Sequence, residues 1–193
     1  IELHLQATGK PETIQPAVGL FFTNEPPSRT PFGLQLGSYT IDIPPGTREY
    51  VVEDRYELPV DVELYSIYPH AHYLGKDLRA FATQPDGTER SLIWIRDWDF
   101  NWQNAYRYRT PLRLPRGTIL RMRFTYDNSA ENPRNPSNPP ARVRYGGQSV
   151  NEMGNLWMQV VPVNPGDLPA LRADYRRKSA ERRLAALDQL ARD

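Results

Sequence analysis

Residues 60–68 read VDVELYSIY, and this stretch decides the fold. Val60, Val62 and Leu64 alternate with Asp61 and Glu63, the period-two pattern of a strand with one face buried. The same alternation appears in IELHLQ (1–6), with Ile1, Leu3 and Leu5 on one parity, and less regularly in TILRMRFTY (118–126). NLWMQVVPV (155–163) is a nearly continuous apolar strand. Pro-Gly turn signals punctuate these runs: IPPGTR, QPDGTE, LPRGTI and NPGD. Many short strands at this spacing predict an all-β, jelly-roll-like β-sandwich of antiparallel strands. The chain's 19 prolines, 12 glycines and 11 tyrosines point the same way.

Two segments depart from the strand pattern. DNSAENPRNPSNPPARVR (127–144) reads as a long surface loop without regular structure. Residues 167–193 turn helical, with Leu171, Tyr175, Ala180, Leu184 and Leu187 on one stripe. They predict a C-terminal α-helix, or a linker to a following module, whose arginines form a solvated face rather than a nucleic-acid patch. The sandwich domain is expected over 1–163. There is no signal peptide at the start, and residues 1–8 read as the last strand of a preceding domain, so the expectation is a piece of a longer protein.

Composition narrows the function classes. Net charge is +1 with acids and bases interspersed, which gives no field aimed at nucleic acid. No apolar run approaches the roughly 20 residues of a spanning helix, so no membrane span is expected. Cysteine is absent, which removes disulfides, thiol nucleophiles and cysteine metal sites.

The chain has three histidines, and two of them, His70 and His72, sit in YSIYPHAHYLGK (65–76). Their i, i+2 spacing puts both imidazoles on one strand face. They share the parity of Val62 and Leu64, so they are expected to point inward at a sandwich end. On residues alone the pair reads either as metal ligands or as packed aromatics. Three methionines could add a soft thioether, which selects copper, above all Cu(I). Met122 and Met158 lie in apolar strands and read as core filling. Met153, between Glu152 and Gly154 at the head of a strand, is placed for a sandwich end. Asp97 and Asp99 read as loop hydrogen-bonders. Trp94, Trp98, Phe100, Trp102, Tyr106 and Tyr108 read as core and rim, and the Gly-Gly of RYGGQS as a turn.

HAHYLGK followed later by YGGQSVNEMGNLW resembles the second domain of the copper type II, ascorbate-dependent monooxygenases, the peptidylglycine α-hydroxylating and dopamine β-monooxygenase family. The resemblance implies that His70, His72 and Met153 bind the copper that activates dioxygen. LHLQATGK at the start resembles the strand giving one histidine, here His4, to a second, electron-donating copper. A preceding copper-binding domain of the same protein would supply the rest of that site, so activity is expected in the full-length protein. The implied reaction hydroxylates a C–H bond of a small-molecule or peptide substrate, with ascorbate or another one-electron donor as reductant. At the family's substrate-anchoring positions stand Tyr68, Asn155 and Trp157. Only the asparagine matches, which argues against a glycine-extended peptide. Gly154 stands where animal members have cysteine, and cysteine-free relatives of this kind imply a bacterial, periplasmic or secreted protein. The competing expectation is a non-catalytic copper-binding or interaction sandwich within a multidomain protein.

Overall fold

The computed structural model describes residue 5 and residues 8–192. His4 and most of the strand expected over 1–6 lie outside the described residues. Residues 9–31 run without helix or strand. Ten strands follow: β1 (Phe32–Gly37), β2 (Asp42–Ile43), β3 (Tyr50–Glu57), β4 (Val62–Ala71), β5 (Gly75–Thr83), β6 (Glu89–Ile95), β7 (Tyr106–Leu114), β8 (Ile119–Tyr126), β9 (Val143–Arg144) and β10 (Gly154–Pro162). A 3₁₀ turn (Pro165–Asp167) leads into α1 (Leu168–Leu190). The expected all-β sandwich with a C-terminal helix is what the chain forms.

One sheet has the order β1-β10-β4-β7 and the other β3-β8-β5-β6, all pairs antiparallel, with β2 and β9 as a separate ribbon. Between the sheets, Leu34, Leu64, Ile67, Leu156 and Met158 of the first meet Val52, Leu78, Leu120, Met122 and Phe124 of the second. Met122 and Met158 are core residues, at 1% and 2% exposure.

The alternation of β4 changes parity partway. Val62 and Leu64 are buried, but from there the buried residues are Ile67, Pro69 and Ala71. Register shifts against β7 between Leu64 and Ser66, and against β10 between Gln159 and Val160, mark the bulge that causes this. An added residue moves every later side chain to the opposite face. Tyr68 and His70 therefore stand on the outer face of the sheet, correcting the inward orientation expected from Val62 and Leu64.

The loop after β8 is also not wholly superficial. Asp127, Asn128 and Ser129 are buried. Asn128 donates its amide to the carbonyls of Ile43, Pro44 and Ala141, closing the gap between β2 and the loop's return. The last two residues of the expected loop form β9.

Helix α1 seals an exposed sheet edge, which would otherwise offer unpaired backbone groups. On β1, the edge strand, the Tyr175 hydroxyl accepts from Gln35 N (2.9 Å) and donates to Gln35 O (3.1 Å). Arg182 forms a close ion pair with Asp54, which also accepts from Gly37 N at 2.9 Å. Leu171 is buried and Tyr175 packs against Phe32 and Tyr56, whereas Leu184 and Leu187 are exposed. Only the first half of the helical stripe is thus core-facing. Tyr175→Phe should cost about 1–2 kcal/mol and lower Tm by roughly 2–8 °C. An unchanged melting curve would mean that the hydroxyl does not hold the edge.

Candidate metal centre

Pairing between β4 and β7 stops at Ile67, two residues before Pro69, which has no N–H to offer a neighbour. β7 begins only at Tyr106, so residues 96–105 are released to form a loop. That loop closes over the end of β4. Trp98, 1% exposed, donates its indole N–H to His72 O at 3.0 Å, and Phe100 lies edge-on to the His72 ring at 5.6 Å. On the other side β10 pairs Gly154 with Ala71 and Asn155 with His70, which sets Met153 at the same end.

The imidazoles of His70 and His72 are 5.1 Å apart between centroids and nearly perpendicular, at 82°. His70 Nδ1 is 2.5 Å from Gln103 Oε1, while Gln103 Nε2 donates to Phe100 O at 2.9 Å. That second bond orients the amide, so its oxygen faces the ring and His70 Nδ1 carries the proton. His72 Nδ1 lies 3.0 Å from the carbonyl of Asn151, which can only accept. In their neutral forms both rings therefore carry hydrogen on Nδ1 and the coordinating lone pair on Nε2. A protein acceptor on one ring nitrogen is how metal-binding histidines are usually oriented.

Beneath the pair lies Glu152, wholly buried. Its carboxylate accepts from His72 N in a short hydrogen bond, from Leu74 N at 3.0 Å and from Met153 N at 2.9 Å. Burial pushes its pKa up to about 8, and the three N–H groups pull the other way. The residue after Met153 must be glycine. A Cβ on Gly154 would collide with the Tyr126 hydroxyl, which donates to Met153 O at 2.8 Å.

The expected substrate positions separate into two kinds. Tyr68 and Trp157 stack at 5.5 Å, and Tyr68 continues the stack to His70 at 6.3 Å. They border a groove of about 280 Å³ that also includes Phe32 and Gly33. Asn155 is instead 4% exposed, and its side-chain oxygen accepts from Gln35 Nε2 at 3.1 Å, so it braces the neighbouring strand. Asp97 and Asp99 do serve their loop: Asp97 holds Arg134 at 2.5 Å, and Asp99 accepts from Asn101 N at 2.9 Å.

Sequence reasoning missed Gln103, Asn151 and the anchoring role of Glu152. Asn151 and Glu152 are neighbours of Met153, but Gln103 lies 33 residues from His70, and only the loop's path reveals it. Among the described residues no three His, Cys, Asp or Glu side chains gather as a metal site. Met153 follows Glu152 at the head of β10, at the same end of the sandwich as the histidine pair. Two imidazoles with fixed tautomers and a thioether suit a soft, copper-type ion.

No family model matches the chain, and no curated protein matches it. Among solved structures it is similar to the infectious bursal disease virus VP2 subviral particle, at 12% identity and a TM-score of 0.36 over 73% of this chain and 35% of that one. The structure of the Gx strain of the same virus gives 11% and 0.34 over 70% and 33%; that of the Gt strain gives 14% and 0.29 over 78% and 39%. The chain spans little more than a third of the length of those proteins. No helix among the described residues is long and apolar enough to cross a membrane.

Replacing Glu152 by Gln should cost roughly 2–3 kcal/mol and lower Tm by roughly 4–12 °C, because an NH2 group would face backbone N–H donors. Wild-type stability in that variant would show that the carboxylate is not holding the three amides.

Proposed function

We propose that this chain is the copper-binding β-sandwich domain of a copper type II monooxygenase-like protein, with His70, His72 and Met153 as the protein ligands. The observation that carries the reading is the pair of adjacent imidazoles, each held by a protein acceptor on Nδ1. Copper there would supply one-electron redox chemistry and activation of dioxygen for hydroxylation of a substrate C–H bond, with ascorbate or a similar donor as reductant.

The chain's own residues do the rest. Gln103 and Asn151 keep the proton on Nδ1 and fix the ring orientations, so binding does not have to order them. Glu152 ties the backbone of His72 to that of Met153, setting the distance between ligands from different strands. Phe100 packs on His72 and keeps water from that flank. Tyr68 and Trp157 offer a flat aromatic wall beside His70, suited to holding an apolar or ring-shaped part of a substrate. His4 is proposed as a ligand of the electron-donating copper, completed by a preceding domain, and an extracytoplasmic location accompanies this reading.

Copper loading should give about one equivalent per chain, falling sharply in His70→Ala. Unchanged copper content in that variant would sink the assignment. Met153→Ala should lose more Cu(I) than Cu(II) affinity, since it removes the soft ligand and leaves both imidazoles. Equal losses would make Met153 a packing residue. Gln103→Ala should weaken copper binding by about 10–100-fold while leaving the ligands in place. If copper binds but the full-length protein consumes no dioxygen with ascorbate, the domain is a non-catalytic copper binder.

A further inference from the structure

The outer face of the β3-β8-β5-β6 sheet lies across the sandwich from the histidine pair, and it carries an unusual arrangement of charge. Arg55 on β3 stands directly opposite Arg121 on β8, and Phe81 on β5 is the next residue in the same rung. Directly opposed side chains on antiparallel strands have Cβ atoms about 4.5–5.5 Å apart, and like charges so placed destabilise the sheet. The neighbouring rung also opposes two arginines, Arg79 and Arg123. There each has an acid: Arg123 meets Glu53 at 3.3 Å and Arg79 meets Glu89 at 2.8 Å.

Arg55 and Arg121 have no such relief. Among the described residues neither forms an ion pair, although both line a hollow of about 380 Å³ with Phe81. Two carboxylates border the same hollow, but Glu53 is engaged by Arg123 and Asp54 by Arg182. The hollow thus holds two positive charges that its own acids do not balance, next to an aromatic ring.

We propose that this hollow binds a phosphoryl oxyanion, with Arg55 and Arg121 as the two guanidinium forks and Phe81 against the group that carries the phosphate. Arginine matches such oxygens with paired N–H donors. A doubly charged oxyanion balances both arginines, whereas a single carboxylate leaves one unpaired. The face does not suit base stacking, because the Trp94 ring is covered by Arg96 at 4.1 Å and Arg79 at 5.4 Å, and Arg79 also lies over one face of Phe81 at 4.9 Å, which leaves the other face of that ring for the group carrying the phosphate. The site is independent of the histidine pair and of any metal.

Calorimetric titration at low ionic strength tests this, using inorganic phosphate and phenyl phosphate against chloride at matched ionic strength. Phosphate should bind the wild type in preference to chloride, and Arg121→Gln should weaken it at least tenfold. Arg123→Gln removes the same charge from the neighbouring rung and should weaken binding far less. In phosphate-free buffer Arg121→Gln should melt no lower than wild type, since it removes a like-charge contact. Tighter binding of phenyl phosphate, lost in Phe81→Ala, assigns the site to a phosphorylated ring compound; equal affinities assign it to free phosphate. Binding no better than chloride, or equal losses in the Arg121 and Arg123 variants, would overturn the proposal.

Discussion

The buried carboxylate of Glu152 is the constraint on which the end of the sandwich depends. It accepts N–H groups from His72 and Leu74, at the β4–β5 turn, and from Met153, at the head of β10. These backbone groups lie where strand pairing has ended, so no ladder would satisfy them, and a buried N–H left alone is costly. One side chain thus replaces a missing rung. The cost is visible in the acid itself, whose pKa burial raises to about 8. A carboxyl under that penalty stays buried only because three donors converge on it. The result is a rigid join between the two segments that hold His70, His72 and Met153.

Above that join, the outward orientation of His70 follows from irregularities rather than from regular strand structure, while His72, just past the end of β4, is buried at 4% exposure. The bulge after Leu64 turns Tyr68 and His70 away from the core. Pro69 lies beyond the last residue paired to β7, and the freed loop returns with Trp98, Phe100 and Gln103. Both devices interrupt a strand next to the site, where bulges are often found. Without the bulge Tyr68 and His70 would face the hydrophobic core. Without the late start of β7, at Tyr106, Gln103 could not reach His70.

This explains what could be read from the residues and what could not. Alternation in Val60–Leu64 and the apolar run of 155–163 announce strands because period two is a local property. The common face of His70 and His72 was legible for the same reason, since no bulge intervenes between them. The bulge itself was not legible: Tyr65 and Ser66 are tolerated on either face, so nothing local marks the added residue. Asn128 was hidden in a segment whose composition reads as surface loop, because its burial depends on carbonyls from Ile43 and Ala141. In α1 the stripe Leu171–Leu187 was legible, but not where the sandwich beneath it ends. Gln103 carries no signal of its own and acquires a role only through tertiary placement.

On the proposed reading, the charge around the histidine pair bears on the oxidation state of the metal. Glu152, the acid bonded to the His72 backbone, points its oxygens at backbone N–H groups. Among the described residues, the groups against the two rings are Tyr68, Trp157, Phe100, the amide of Gln103 and the carbonyl of Asn151, all neutral. A cation held there by two imidazoles and a thioether keeps its full charge in a partly buried setting. The desolvation penalty rises steeply with charge, so a monovalent ion suffers least from neutral ligands. Ligand softness and this electrostatic term therefore favour Cu(I) independently. A carboxylate introduced beside the pair, for example Phe100→Asp, should shift the preference toward Cu(II), measured as a drop in the copper reduction potential. No drop would mean that solvent already screens the site and that softness alone sets the preference.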